Sequence, residues 1–416
     1  AQVSCMDRAH DADGALGARR VQIVLDREGQ LYPRRGLPRD LRDEQPPMSL
    51  RFLRENYSDE LCGSNPTEET AKLCSQDWDE AQADFWRDRA ELTASLLPDD
   101  RQGTLVVLIH GFNVASAAGS FREVRSLTRM ASDDPSAMVF LEVNWNGYQR
   151  SPFDIPWADA QYSAPLGGFA LRRFFHELDA ITGAAGGPEF PKVRVLMHSS
   201  GAMLVGGAFG NPYYALPELH DPERRECEPH ARPTRVDADG RARRCLWYER
   251  FYDNRDRIGG PYGVPQIEDL RIAMFAPATS ADTFVARTEC GDEATNSGCE
   301  PAQETQGGLL TPGATVFFTE STRDLVLRKA LPPGYLSRTL GATGLGTDRS
   351  EVCRLVNGAH PDADVRAIDF TPGNGQSVGF FAHSWSIYLN QPNARPMLEA
   401  MFADEAPAEL PGTITC

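Results

Sequence analysis

The sequence predicts an α/β architecture with a mostly parallel central sheet and helices on both faces. Three observations carry that expectation. Mainly apolar runs, several rich in β-branched residues, recur at 104–109, 137–143, 192–198, 270–276, 314–319 and 364–370, some with charged residues among them, as strands of a buried parallel sheet would. Segments of helical spacing fall between several of them, notably at 120–130 and 167–181, and parallel neighbours need such crossovers. The third observation is the stretch 192–201, KVRVLMHSSG, which stops at a serine and passes into the small-residue segment 202–210. It reads as strand, sharp turn and helix, a local structure that lifts a serine hydroxyl clear of its own backbone.

Taken in order, residues 1–20 read as a loose leader. The alternation at 20–26, followed by a turn and Leu31-Tyr32, predicts a hairpin. The arginine- and proline-rich segment 33–47 reads as loop. Residues 77–97 have helical spacing, with Trp78, Ala81, Phe85, Ala90, Leu92 and Leu96 on one broad apolar face, so a helix packed across the sheet is expected. Residues 1–100 hold too few apolar runs for a core of their own. They are expected to be an extension packed on a main domain spanning 101–416. Within that domain the aromatic, proline-rich stretch 144–165 is expected to loop over the carboxyl ends of the strands. The longest irregular section, 211–268, reads as a cap-like insertion stapled by Cys227 and Cys245. The last apolar run, 364–370, precedes the glycine- and aromatic-rich segment 379–385, and a closing helix is expected around 396–402.

Composition narrows the function. A 41% hydrophobic and 24% charged content is ordinary for a globular chain. The net charge of −17 argues against nucleic acid or an anionic membrane as partner, because a phosphate surface calls for a basic field. No apolar run approaches the roughly 20 residues that span a bilayer. Nine cysteines lie mostly in polar, turn-rich surroundings without C-x-x-C spacing, which suits disulfides in an oxidising compartment. The expected pairs are Cys62–Cys74, Cys227–Cys245 and Cys290–Cys299, then Cys353–Cys416, with Cys5 unpaired. The chain begins at Ala1, as a processed exported protein does, so an extracellular or periplasmic location is expected, with a lipid anchor at Cys5 as a variant of it. His176-Glu177 lacks a second histidine four residues after the first, and no G-x-G-x-x-G or P-loop occurs. No metal and no cofactor are expected.

In the serine turn, Met197-His198-Ser199-Ser200-Gly201 keeps the second glycine of G-x-S-x-G and replaces the first with methionine. Ser199 is the candidate nucleophile, with Ser200 the alternative frame. Upstream, residues 104–113 form another apolar run that ends in His110-Gly111-Phe112-Asn113. In this order and spacing, with VFLEVNW at 139–145 between them, the two motifs resemble the α/β-hydrolase superfamily. The wording is most similar to a bacterial, uncharacterised branch with an HG-aromatic-Asn oxyanion loop. The resemblance covers residues 105–402. It implies an α/β-hydrolase fold and a serine hydrolase with the chain order Ser, acid, His.

Read with that order, only His360 and His383 follow the acid strand among eight histidines. His383 is preferred, since it lies past the last predicted strand. Asp324 is the favoured acid, in a segment resembling the Asp-x-x-Leu that follows the family's acid strand, with Glu320, Asp282 and Asp369 as alternatives. The backbone N–H groups of Phe112 and Ser200 are the expected oxyanion hole. His110, Asn113, Trp145 and Tyr148 are the expected lining of a substrate pocket. The leading functional expectation is an exported serine hydrolase that cleaves small or lipid-like carboxylic esters through an acyl-enzyme, and a pocket roofed by the aromatic segments would favour neutral esters of short to medium chain length. An amidase or peptidase on the same fold and a non-catalytic binding protein remain the alternatives.

Overall fold

The computed structural model describes residues 19–33, 49–63, 68–98, 103–111, 117–145, 157–184, 192–210, 263–279, 313–324, 349–358, 362–371, 383–407 and 409–414, with Phe284, Leu309, Val326, Leu327 and Gly346. Eight strands form one sheet: β1 Arg20–Val24, β2 Thr104–Ile109, β3 Met138–Asn144, β4 Lys192–His198, β5 Leu270–Phe275, β6 Ala314–Glu320, β7 Asp364–Asp369 and β8 Thr413–Ile414. Their order is β1-β3-β2-β4-β5-β6-β7-β8. The first seven are parallel, and β8 alone runs antiparallel, on β7. Each of the six apolar runs is a strand to within a residue at either end.

The register fixes the two faces. Phe140, Val106, Arg194 and Arg271 lie side by side across β3, β2, β4 and β5. That row faces helix α5, Ala117–Ala131, and helix α10, Ala394–Phe402. Arg129 of α5 stacks over Phe140, and Arg271 donates to the carbonyls of Ala400, Ala403 and Asp404 at the end of α10. A cation there satisfies carbonyls that have no helical partner. Arg125 of α5 pairs with Glu142 of β3, both buried. On the other face lie α4 Trp78–Leu96, α6 Trp157–Ala184 and α7 Gly201–Phe209, with α6 packed on both of the others. Arg172 of α6 donates to the carbonyls of Gly207, Ala208 and Gly210, capping α7. No described helix is long and apolar enough to cross a membrane.

The expected hairpin at 20–32 is corrected in part: it forms at its turn end only, where Leu25 bridges Leu31, the Tyr32 N–H donates to the Val24 carbonyl and the Asp26 N–H to the Gln30 carbonyl. The body of β1 instead joins the main sheet in parallel with β3. The reason is burial. Val21, Ile23 and Leu25 form one apolar row that is buried in the core, and the two apolar residues Leu31 and Tyr32 offer too little surface to cover it. The N-terminal region therefore supplies a strand of the sheet as well as packing on it. Helix α4 starts one residue after Asp77, whose carboxylate accepts the Asp79 N–H as an N-cap. Gln82 of α4 both donates to the Leu31 carbonyl and accepts the Leu31 N–H, joining β1's exit to the helical layer. Three short helices without a clear sequence signal precede α4: α1 Leu50–Asn56, α2 Ser58–Leu61 and α3 Glu68–Ser75. The expected Cys62–Cys74 disulfide closes this region. Cys353, in α8 Ser350–Gly358, is disulfide-bonded, and its partner lies outside the described residues. The Cys227–Cys245 and Cys290–Cys299 pairs, Cys5 and the insertion at 211–262 lie outside them too.

The loop expected at 144–165 is also corrected, because α6 begins at Trp157 and runs through Pro165. The small-residue row of α7 explains how such a helix is accommodated. A Cβ at Gly168 would lie 2.5 Å from the Gly207 Cα and the Leu204 carbonyl, so α6 and α7 touch backbone to backbone. Alanine at 168 has no room, and overpacking of this kind costs about 1–3 kcal/mol. Gly168→Ala is expected to lower the unfolding free energy read from urea denaturation by an amount in that range, and an unchanged value would mean that the two helices part freely.

Candidate active site

β3 lies on one side of β2 and β4 on the other, so the sequence order of the sheet reverses between β2 and β4. In open α/β sheets the crevice beyond the carboxyl ends of the strands at such a point is the usual place for a ligand. Gly111 follows β2 there, and Ser199 follows β4.

Ser199 has φ of +53°, a left-handed conformation costly for any residue with a Cβ. The end of β5 holds it there. The Ser199 N–H donates to the Phe275 carbonyl at 2.8 Å, and its own carbonyl accepts the Ala278 and Ala202 N–H groups, each at 3.1 Å. The turn then enters α7, where Ser200 is the N-cap residue. Gly111 passes so close that a Cβ on it would lie 2.9 Å from the Ser199 Cβ and 2.8 Å from the His198 Nδ1. Only glycine leaves the turn this space. Met197, where the motif usually has glycine, is buried in the core.

The Ser199 hydroxyl donates to His383 Nε2 at 2.7 Å, and His383 Nδ1–H donates to Asp324 Oδ2, also at 2.7 Å. The three side chains come from beyond the carboxyl ends of β4, β7 and β6. Asp324 is almost wholly buried, which by itself raises a carboxyl pKa. The charge of His383, with hydrogen bonds from His383, Tyr388 and the Leu327 N–H, outweighs burial and holds Asp324 below its ordinary value. The carboxylate thus stays ionised and able to orient the imidazole. A serine whose proton has such a base in reach can attack an electrophilic carbon.

Two further histidines brace this arrangement without belonging to it. His198 donates from Nε2 to the His383 backbone carbonyl at 2.7 Å, and its ring stacks on Trp385 at 5.8 Å and 12°. Burial, then the nearby charge of His383, pushes His198 down to about 3. His110 donates from Nδ1 to the Gly111 carbonyl and accepts the Trp145 N–H at Nε2, so its tautomer is fixed. Burial takes it down to about 4. Both rings are neutral when folded and gain protons on unfolding, so each withdraws stability as pH falls from about 6.5.

The structure brings Ser199, His383 and Asp324 together. Ser200, the alternative nucleophile, is fully buried and has no partner for its hydroxyl among the described residues, while its backbone N–H lies at the start of α7. Phe112, Asn113 and Tyr148 lie outside the described residues, as do His360 and Asp282. Glu320 instead pairs with Arg349, and Asp369 accepts the Thr371 N–H at a strand end. His110 and Trp145, expected as pocket lining, are corrected. Each is 1% exposed, and their rings stack 5.7 Å apart while the indole N–H donates to the His110 carbonyl. An imidazole whose two nitrogens are both bonded can be buried without leaving a polar atom unpaired. Sequence reasoning missed Tyr388, whose hydroxyl donates to Asp324 at 2.8 Å; its place five residues after His383 is the one signal that points to it. Among the described residues no His, Cys, Asp and Glu group is placed to hold a metal ion. No family model matches this chain, and no curated protein matches it.

His198 is expected to keep its proton on Nε2 and to remain neutral at about pH 5, which long-range proton–nitrogen spectra of the imidazoles report. Double protonation with a midpoint near ~6.5 would contradict the dry, stacked setting described above.

Proposed function

We propose that this protein is a serine hydrolase of the α/β-hydrolase superfamily that cleaves carboxylic esters through an acyl-enzyme. The observation that carries the reading is the unbroken run of hydrogen bonds from Ser199 through His383 to Asp324. The left-handed backbone of Ser199 at the switch point of the sheet supports it. In the proposed reaction His383 Nε2 takes the Ser199 proton as Oγ bonds to the ester carbonyl carbon. The negative charge that develops on the carbonyl oxygen is met by backbone N–H groups, with Ser200 at the start of α7 supplying one. The tetrahedral intermediate then collapses, and the alkoxide leaving group receives the proton that His383 took. Water, deprotonated by His383 in turn, cleaves the acyl-enzyme to free acid and restores Ser199. Asp324 remains a carboxylate throughout and stabilises the imidazolium formed in each half. The Cys62–Cys74 disulfide and the bonded Cys353 support an exported protein acting in an oxidising compartment.

A fluorophosphonate probe is expected to label Ser199. Ser199→Ala should abolish labelling and nitrophenyl ester hydrolysis, while Ser200→Ala retains labelling; the reverse pattern would refute the assignment. Asp324→Asn should lower kcat by about a thousandfold or more, read from the same ester assay. Activity should fall as pH drops, because only neutral imidazole accepts the serine proton. Asp324, held below its ordinary value, stays ionised through that fall, so a single acidic limb is expected. Two separable acidic limbs would count against an Asp324 that stays ionised.

A further inference from the structure

We propose that Tyr388 is a positioning residue for this chemistry, a donor that fixes the Asp324 carboxylate and shares its charge with His383. The inference rests on the hydrolase reading and adds to it a side chain that does not touch the reacting atoms.

Each oxygen of Asp324 carries two donors. Oδ1 accepts the backbone N–H groups of Val326 at 3.0 Å and Leu327 at 3.2 Å. Oδ2 accepts His383 Nδ1–H at 2.7 Å and the Tyr388 hydroxyl at 2.8 Å. An ionised carboxylate offers about four acceptor positions, and all are taken. The backbone donors alone allow the group to tilt about the Oδ1 side. The phenol prevents this by fixing where Oδ2, and hence the imidazole, must lie.

The phenol is itself held in place. Tyr388 sits on helix α9, Trp385–Leu389, which begins two residues after His383. Both donors to Oδ2 therefore come from one short segment. Trp385 of that helix stacks on His198, which in turn donates to the His383 carbonyl. The Tyr388 ring lies on Phe370 at 5.8 Å and 15°, and Ser321 hydrogen-bonds its oxygen. Burial, then the charge of Asp324, raises the phenol well above its ordinary value, so it remains a donor. Among the described residues, Tyr388 on α9, His198 at the end of β4 and, behind it, His110 after β2 face the His383–Asp324 pair, and Glu123 of α5 accepts hydrogen bonds from Ser386 and Asn390 beside the same segment.

Removing the hydroxyl while keeping the ring leaves Oδ2 to His383 alone. The concentrated charge stabilises the imidazolium more, so the serine's base is protonated more readily. The acidic limb should move to higher pH. The tilt newly open to the carboxylate should also slow attack.

The test is Tyr388→Phe in the full chain, read by the rate of fluorophosphonate labelling across pH, by kcat and KM on a nitrophenyl ester, and by the downfield proton of His383 Nδ1–H. The expected result is a plateau rate and kcat lowered about three- to thirtyfold with KM unchanged. A limb moved up by about 0.3–1 pH unit and a displaced Nδ1–H resonance should accompany it. A loss of rate with neither limb nor resonance moved would mean that Tyr388 only packs, and no change at all would also overturn the proposal. Absence of labelling in the unsubstituted protein would overturn the hydrolase reading instead, and the Nδ1–H resonance would still decide whether the phenol acts on the carboxylate.

Discussion

The hydrogen bond from the Ser199 N–H to the Phe275 carbonyl continues the β4–β5 ladder one step beyond the point at which β4 stops being a strand. A left-handed residue with a Cβ costs on the order of 1 kcal/mol or more and persists only when its surroundings leave no other choice. Here they leave none. The β5 end takes both the N–H and, through Ala278, the carbonyl of Ser199. Gly111 fills the space above it, and α7, capped by Arg172, fixes the chain that leaves it. The position of the Ser199 Cβ is thus set by the sheet, and the one remaining torsion is held by the hydroxyl's bond to His383.

The same economy of motion holds for the other two groups. His383 and Tyr388 lie on one short segment and meet one carboxylate oxygen, so docking the segment places both. Two neutral histidines seal its underside by stacking on indoles, Trp385 and Trp145. Neutrality matters here, because a second cation beside His383 would oppose the imidazolium that the proposed reaction forms. Burial keeps His198 and His110 uncharged, so neither places a second cation beside His383.

The strands and the three aligned residues were legible because their signals are local or ordered along the chain. A buried parallel strand announces itself by a mainly apolar run, and 192–201 carries its turn within ten residues. The order Ser, acid, His then left few choices. What was not legible depended on distant partners. The pairing of β1 with β3 has no trace in residues 20–32, where a local return looked sufficient. His110 and Trp145 read as pocket residues because aromatic and imidazole groups after a strand often are; only the bonds between them, across 35 positions, reveal that they satisfy each other. Helix α6 through Pro165 depends on the glycine contact with α7, again a property of two segments together.

The pairing of β1 with β3 joins residues 120 positions apart, as Gln22 and Glu142 illustrate. During synthesis, β1 is made long before the strand that pairs with its backbone, and at about 5–20 residues per second it waits several seconds or more for that partner. The interval favours binding by chaperones that recognise short apolar strands, and it makes the edge of the sheet a late, long-range step of folding. Once in place, β1 hides the flank of β3 that would otherwise template association between nascent chains.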